Sequence, residues 1–216
     1  MIKDELRKRV LSSFILIPTV FFVIIEGSFI FNFFIFICFS ITAYEWIQMS
    51  KSNIQKIFGL LFIMFSFFTI FKIRNDFNQD YFHILLIAII CISTDTGGYF
   101  FGKLLKGPKL TKLSPNKTYA GVIGSFLLST IITILFFELT LKIHNFKYSE
   151  GTFIFVLIVS LVSQIGDIIV SFFKRLSKIK DTGNIIPGHG GILDRVDGMI
   201  FAYPFSYLVF LNWNFQ

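Results

Sequence analysis

Cysteine is nearly missing from this chain. Its two examples, Cys38 and Cys91, both fall inside apolar runs. They provide neither a disulfide framework nor zinc-ligand spacing, and both read as small core hydrophobes. Charge is scarce as well, at 15% of residues, where a soluble domain carries about a quarter. Internal repeats and low-complexity tails are absent, and five prolines among 216 residues exclude a collagen-like chain. What is abundant is apolar surface: 54% of residues are hydrophobic and 31 are Phe. A disordered chain cannot have that composition, and an ordinary soluble globule could not hide it. The expectation is an all-α polytopic integral membrane protein forming one integral domain, 1–216.

Seven apolar stretches mark the expected spans: Val10–Ile25, Phe29–Tyr44, Ile57–Phe71, Tyr81–Ser93, Ala120–Phe137, Thr152–Val170 and Met199–Trp213. A spanning helix needs about 20 residues, so the polar flanks of the shorter runs must lie in the headgroup zone. Glu26-Gly27-Ser28 separates the first two runs and predicts a tight helical hairpin. The first run has a basic front but no small-residue cleavage site, so it reads as a retained span rather than a signal peptide. With the N-terminus placed in the cytoplasm, 16 of the 20 Lys and Arg residues fall on the inner side and 4 on the outer. That asymmetry is the usual mark of orientation. It puts two long loops, about 94–119 and 171–198, on the cytoplasmic face of a plasma (inner) membrane. The net charge of +7 then suits anionic lipid and phosphorylated substrates rather than nucleic acid.

The second loop is dense in chemistry. Asp167 lies inside the sixth apolar run, where an ionisable group is costly and usually functional. If that helix continues, Asp167, Ser171, Lys174 and Lys178 form one polar face. Asp194 and Asp197 follow one turn apart. Three carboxylates at one membrane surface would repel one another unless a cation lay between them, and hard oxygen donors suit Mg2+, with room for a second cation. Lys174, Arg175, Lys180 and Arg195 are expected to bind phosphate oxygens. In Pro187-Gly188-His189-Gly190-Gly191 the glycines allow backbone N–H groups to approach phosphate; His189 either donates to phosphate or serves only the turn.

The first loop echoes this with Ser114-Pro115-Asn116-Lys117-Thr118 at the start of the fifth helix, a ready anion site or a plain helix cap. Gly97 to Lys103 fits seven positions of a P-loop, but Leu104 replaces the required hydroxyl and no strand precedes it, so that reading is rejected. Gly98 and Gly102 are spaced for close helix contact, which leaves room for a homodimer without establishing one. His83 and His144 read as structural, and Trp46 and Trp213 as interfacial anchors.

The 27-residue run from Ser171 to Asp197, with Ser171, Lys174, Arg175, Lys180, Asp181, Gly183, Ile186, Pro187, His189, Gly190, Gly191, Ile192, Asp194, Arg195, Val196 and Asp197 in their places, resembles the defining motif of the phosphatidate cytidylyltransferase (CDP-diacylglycerol synthase) family. Asp95-Thr96, Gly102-Lys103, Leu113-Ser114-Pro115, Lys117-Thr118 and Gly121 resemble a second family region. The family commonly has Glu just before that last glycine, where this chain has Ala120. The resemblance covers roughly 91–205, and residues 1–90 read as generic membrane spans.

The resemblance implies transfer of a cytidylyl group from CTP to phosphatidate, giving CDP-diacylglycerol and pyrophosphate in phospholipid biosynthesis. It implies Asp167, Lys174, Arg175, Asp194 and Arg195 as the catalytic set, and Asp167, Asp194 and Asp197 as the metal-binding set. Ser114, Lys117, Thr118, Ser171, Lys180, Asp181, His189, Gly190 and Gly191 would bind substrate. The nearest alternative is another CTP-dependent kinase or cytidylyltransferase acting on a polyprenol or archaeol-type lipid. A CDP-alcohol phosphotransferase is excluded because no acid follows Asp197. An ion-coupled transporter is disfavoured because the charges gather on one side.

Overall fold

The computed structural model describes residues 2–76, 81–110, 117–144, 148–186, 188 and 190–212. Among these the only regular elements are helices: α1 (Ile2–Glu26), α2 (Ser28–Met49), α3 (Asn53–Asp76), α4 (Phe82–Leu105), α5 (Tyr119–His144), α6 (Glu150–Leu176), the short α7 (Leu193–Val196) and α8 (Met199–Asn212). Five of them, α2 to α6, are long and apolar enough to cross a membrane; the apolar part of α1 and the whole of α8 are shorter. Large side chains such as Phe14, Phe29 and Phe58 stand exposed along α1, α2 and α3, a surface that suits lipid and not water.

The helix boundaries correct the sequence reading at two points. The expected inner loop from 94 is helical as far as Leu105, so Asp95, Gly97 and Gly98 stand on α4. This also disposes of the P-loop likeness, because Gly97–Lys103 is helix. The expected polar face on α6 stops at Lys174, since the helix ends at Leu176 and Lys178 has a left-handed φ of 59°.

The chain divides into two compact units: residues 1–81 with 173–197, and residues 82–172 with 198–216. In the first, Gly27 breaks α1 from α2 with φ +68°, as the Glu26-Gly27-Ser28 spacing predicted. The end of α1 leaves carbonyls without helical partners. Buried Arg74 of α3 meets them, donating from Nε to Ile24 O at 3.3 Å and from Nη2 to Ile25 O at 3.4 Å. Its guanidinium lies where a Cβ on residue 27 would have to go. Trp46 is buried rather than an interfacial anchor. Its Nε1 donates to Gln55 O at 3.0 Å and its ring meets Phe173 edge-on at 5.1 Å. Ser177 Oγ donates to Met49 O, tying the segment after α6 to the end of α2.

The second unit is organised by the pairing of α4 with α5. Gly97, Gly98 and Gly102 of α4 face Gly124, Ser125 and Thr118–Gly121 so closely that a Cβ at Gly97 would stand 2.5 Å from Gly124 O. The glycine spacing therefore serves packing within the chain. Hydroxyls stitch the seam, with Ser125 Oγ donating to Thr94 O at 2.7 Å and Thr94 Oγ1 to Ser160 Oγ at 2.8 Å. His83 packs against Phe82 and Phe210, and Tyr203 OH donates to Ile84 O at 3.2 Å. Cys91 is buried and Cys38 partly so, both as free thiols. Gly97→Leu overfills the seam. It is expected to cost about 1–3 kcal/mol, read as a fall of about 2–12 °C in the melting midpoint of detergent-solubilised protein. An unchanged midpoint would contradict the packing argument.

Candidate active site

In the first unit the functional residues converge because α6, a glycine turn and α7 are all short-tethered to one another. The last turns of α6 carry Lys174, which is buried. The chain then turns at Ile186, whose N–H bonds to Gly190 O at 3.0 Å, and enters α7. Gly190 is needed there twice over: its φ is +86°, and a Cβ would strike Asp194 Oδ2 at 2.6 Å. Asp194 lies in α7 and Asp197 just past it, so one ammonium reaches both. Lys174 Nζ stands 3.0 Å from Asp194 Oδ1 and 3.4 Å from Asp197 Oδ2, with all three side chains largely buried.

Asp194 is bound on its other oxygen too. Its Oδ2 accepts from Thr182 N at 2.8 Å and Gly191 N at 2.9 Å. Charge-assisted bonds of this kind are short and strong, and they hold the carboxylate in place. Around this buried core Arg175, Lys180, Asp181 and Arg195 are exposed. Arg175 turns back, donating from Nη1 to Ile179 O at 3.1 Å, so in this structure it braces the turn after α6. Lys180 and Arg195 lie on the surface.

The second unit holds a smaller cluster. Lys117, just before α5, pairs with Asp167 Oδ2 at 2.5 Å, and Ser171 Oγ donates to Asp167 Oδ1 at 3.2 Å. Lys117 Nζ also reaches Gln164 O at 3.4 Å. The acid inside the sixth apolar run is thus paired rather than bare. Thr118 Oγ1 accepts from Gly121 N at 3.1 Å, which makes it the N-cap of α5; the plain cap reading describes this hydroxyl. Ser114, Pro187 and His189 lie outside the described residues.

Among the described residues, no group of three or more His, Cys, Asp or Glu side chains is gathered as a metal site. The two-acid set of Asp194 and Asp197 nonetheless suits magnesium, which commonly takes one or two carboxylates and fills its remaining positions with water and phosphate. A cation, the Lys174 ammonium, already lies between them.

The sequence profile of the Cytidylyltransferase family matches residues 7–72 and 56–213. The chain belongs to that family. A phosphatidate cytidylyltransferase of Rickettsia conorii is 33% identical over 213 residues, covering 96% of this chain and 92% of its own. Proteins of the same name from Brucella suis and Bacillus subtilis are 38% and 35% identical over 151 and 150 residues, which is 69% of this chain and 54% and 55% of theirs. In this cytidylyltransferase-family chain the match reaches back to residue 7.

One residue in that early region was missed altogether. Glu45 of α2 is 2% exposed, and its carboxylate accepts from Thr182 Oγ1 at 3.0 Å, Ile192 N at 3.1 Å and Leu193 N at 2.8 Å. The signal was present: an acid directly follows the apolar run Phe29–Tyr44, and the argument applied to Asp167 applies to it as well.

Proposed function

We infer that this chain transfers the cytidylyl group of CTP to phosphatidate, forming CDP-diacylglycerol and releasing pyrophosphate. The observation that carries the reading is the interlocked set Lys174–Asp194–Asp197 at the heart of a chain 33% identical, over almost all of its length, to the Rickettsia conorii phosphatidate cytidylyltransferase. In the reaction an oxygen of the lipid phosphate attacks the α-phosphorus of CTP. A new P–O bond forms, the α–β bridge breaks, and pyrophosphate departs with the electron pair. The nucleophile is already anionic, so the task is to bring two polyanions together and offset the charge on the leaving group.

Asp194 and Asp197 in one unit, and Asp167 in the other, are proposed as separate oxygen donors for magnesium. When bound, magnesium would neutralise nucleotide phosphate oxygens. Lys174 holds Asp194 and Asp197 close together. Lys180 and Arg195, both exposed, draw in the triphosphate, and Arg's planar fork suits two phosphate oxygens at once. Gly190 and Gly191 let the backbone come near phosphate. Lys117 and Ser171 hold Asp167 by its two oxygens, so that any phosphate reaching Lys117 competes with this pair.

The helices of lipid-crossing length make this a membrane protein. We propose seven crossings, with the N-terminus and the site in the cytoplasm at the inner membrane; the 16-to-4 distribution of Lys and Arg supports that orientation. The acyl chains of phosphatidate would remain among the spans while its headgroup reaches the cytosolic surface. Purified protein in detergent is expected to release pyrophosphate only when CTP and phosphatidate are both present. A polyprenol or archaeol-type lipid that supports CTP turnover where phosphatidate does not would replace this substrate assignment with the other lipid.

A further inference from the structure

We propose that Glu45 is a positioning residue for the cytidylyl-transfer centre, holding Thr182 and the segment Gly191–Leu193 so that the amides of Thr182 and Gly191 fix Asp194. The inference rests on the role of Asp194 proposed above. Two of the three donors to Glu45 are the N–H groups of Ile192 and Leu193, which lie at the start of α7 and have no helical acceptor. The third is the Thr182 hydroxyl. The same short segments turn the other way to Asp194, through the amides of Thr182 and Gly191. Thr182 therefore bridges the two acids, its hydroxyl on Glu45 and its amide on Asp194.

The glycines record how tight this clamp is. A Cβ at Gly183 would meet Glu45 Oε1 at 2.7 Å, and one at Gly191 would overlap both carboxylate oxygens. Only an acceptor answers three donors. An amide at position 45 would present its own N–H groups to at least one of them, and the segment would shift to escape. Glu45 comes from α2, whereas every residue it holds lies more than a hundred positions later. It acts through these residues and not on the reacting atoms.

The test compares the full chain with its Glu45→Gln and Thr182→Val variants in detergent. Glu45→Gln is expected to lower kcat about 100-fold, the upper range for removal of a group that orients a metal-site residue, with KM for CTP altered less than about threefold. Amide exchange at residues 191–193 should speed up in the same variant, a readout independent of turnover. Thr182→Val keeps two of the three bonds to Glu45; it is expected to lower kcat about tenfold at the parental melting midpoint. The double variant should be little worse than Glu45→Gln alone, because both act on one clamp.

Parental kcat in Glu45→Gln, or parental exchange at 191–193, overturns the proposal. Should Glu45→Gln fail to fold, parental kcat in Thr182→Val overturns it instead. A parent protein that releases no pyrophosphate from CTP and phosphatidate would remove the functional reading. The exchange comparison would then still decide whether Glu45 holds the segment.

Discussion

Asp194→Asn is expected to reduce CTP-dependent pyrophosphate release by about 10³-fold or more, comparable with the loss of a preorganised charge-stabilising group, while the protein still inserts into membranes. The reason lies in what surrounds the carboxylate. Oδ2 faces two backbone N–H groups and Oδ1 faces the Lys174 ammonium, so every neighbour on these atoms is a donor. An Asn oxygen can satisfy one side, but its NH2 group must then point at donors on the other. The variant also loses a negative charge at the point proposed for magnesium. Turnover measured against membrane-fractionated protein checks this, and parental turnover in Asp194→Asn would remove the metal-binding role.

Lys174→Met has the largest expected effect on stability. Its ammonium is the charge shared by Asp194 and Asp197, whose side chains are 4% and 11% exposed. Removing one partner of a buried ionic cluster leaves like charges facing each other, at a cost of about 3–5 kcal/mol. In detergent this should appear as a melting midpoint lower by about 6–20 °C in the presence of a chelator. Added magnesium should then recover part of the loss, because a cation that binds the folded acids stabilises them by mass action. A midpoint that stays low at every magnesium concentration would count against Asp194 and Asp197 as a cation site.

The five helices of membrane-crossing length, α2 to α6, were legible because lipid imposes length and apolarity directly on sequence. The break at Gly27 was legible because Glu26 and Gly27 both interrupt an apolar period. The extent of α4 was less so. Asp95, Thr96, Gly97 and Gly98 read as a polar loop, yet on a helix two of those residues are a packing seam for α5 and the other two face outward. Polarity marks a boundary only when the alternative, a small-residue contact, is absent.

At the site, the motif spacing brought out Lys174, Asp194 and Asp197, which do meet, because only the segment between α6 and α7 separates them in sequence. Arg175 and Thr118, named for phosphate, bond in this structure to Ile179 O and to the Gly121 N–H at the start of α5. Composition cannot separate a cation aimed at substrate from one bracing a turn. Glu45 was overlooked for a different reason. Its partners lie across a separation that no local pattern spans, and a lone acid at the end of an apolar run looks like a headgroup contact.

That separation has a consequence for biogenesis. Leu193 is added 148 residues after Glu45, which at ordinary elongation rates is a wait of roughly 7–30 s. For that interval the α2 carboxylate is already at the bilayer while the amides it will bind are still unsynthesised. The ribosome must therefore deliver the chain through residue 193 before Glu45 can meet these amides, and a chain terminated before that point carries an acid with nothing to receive it.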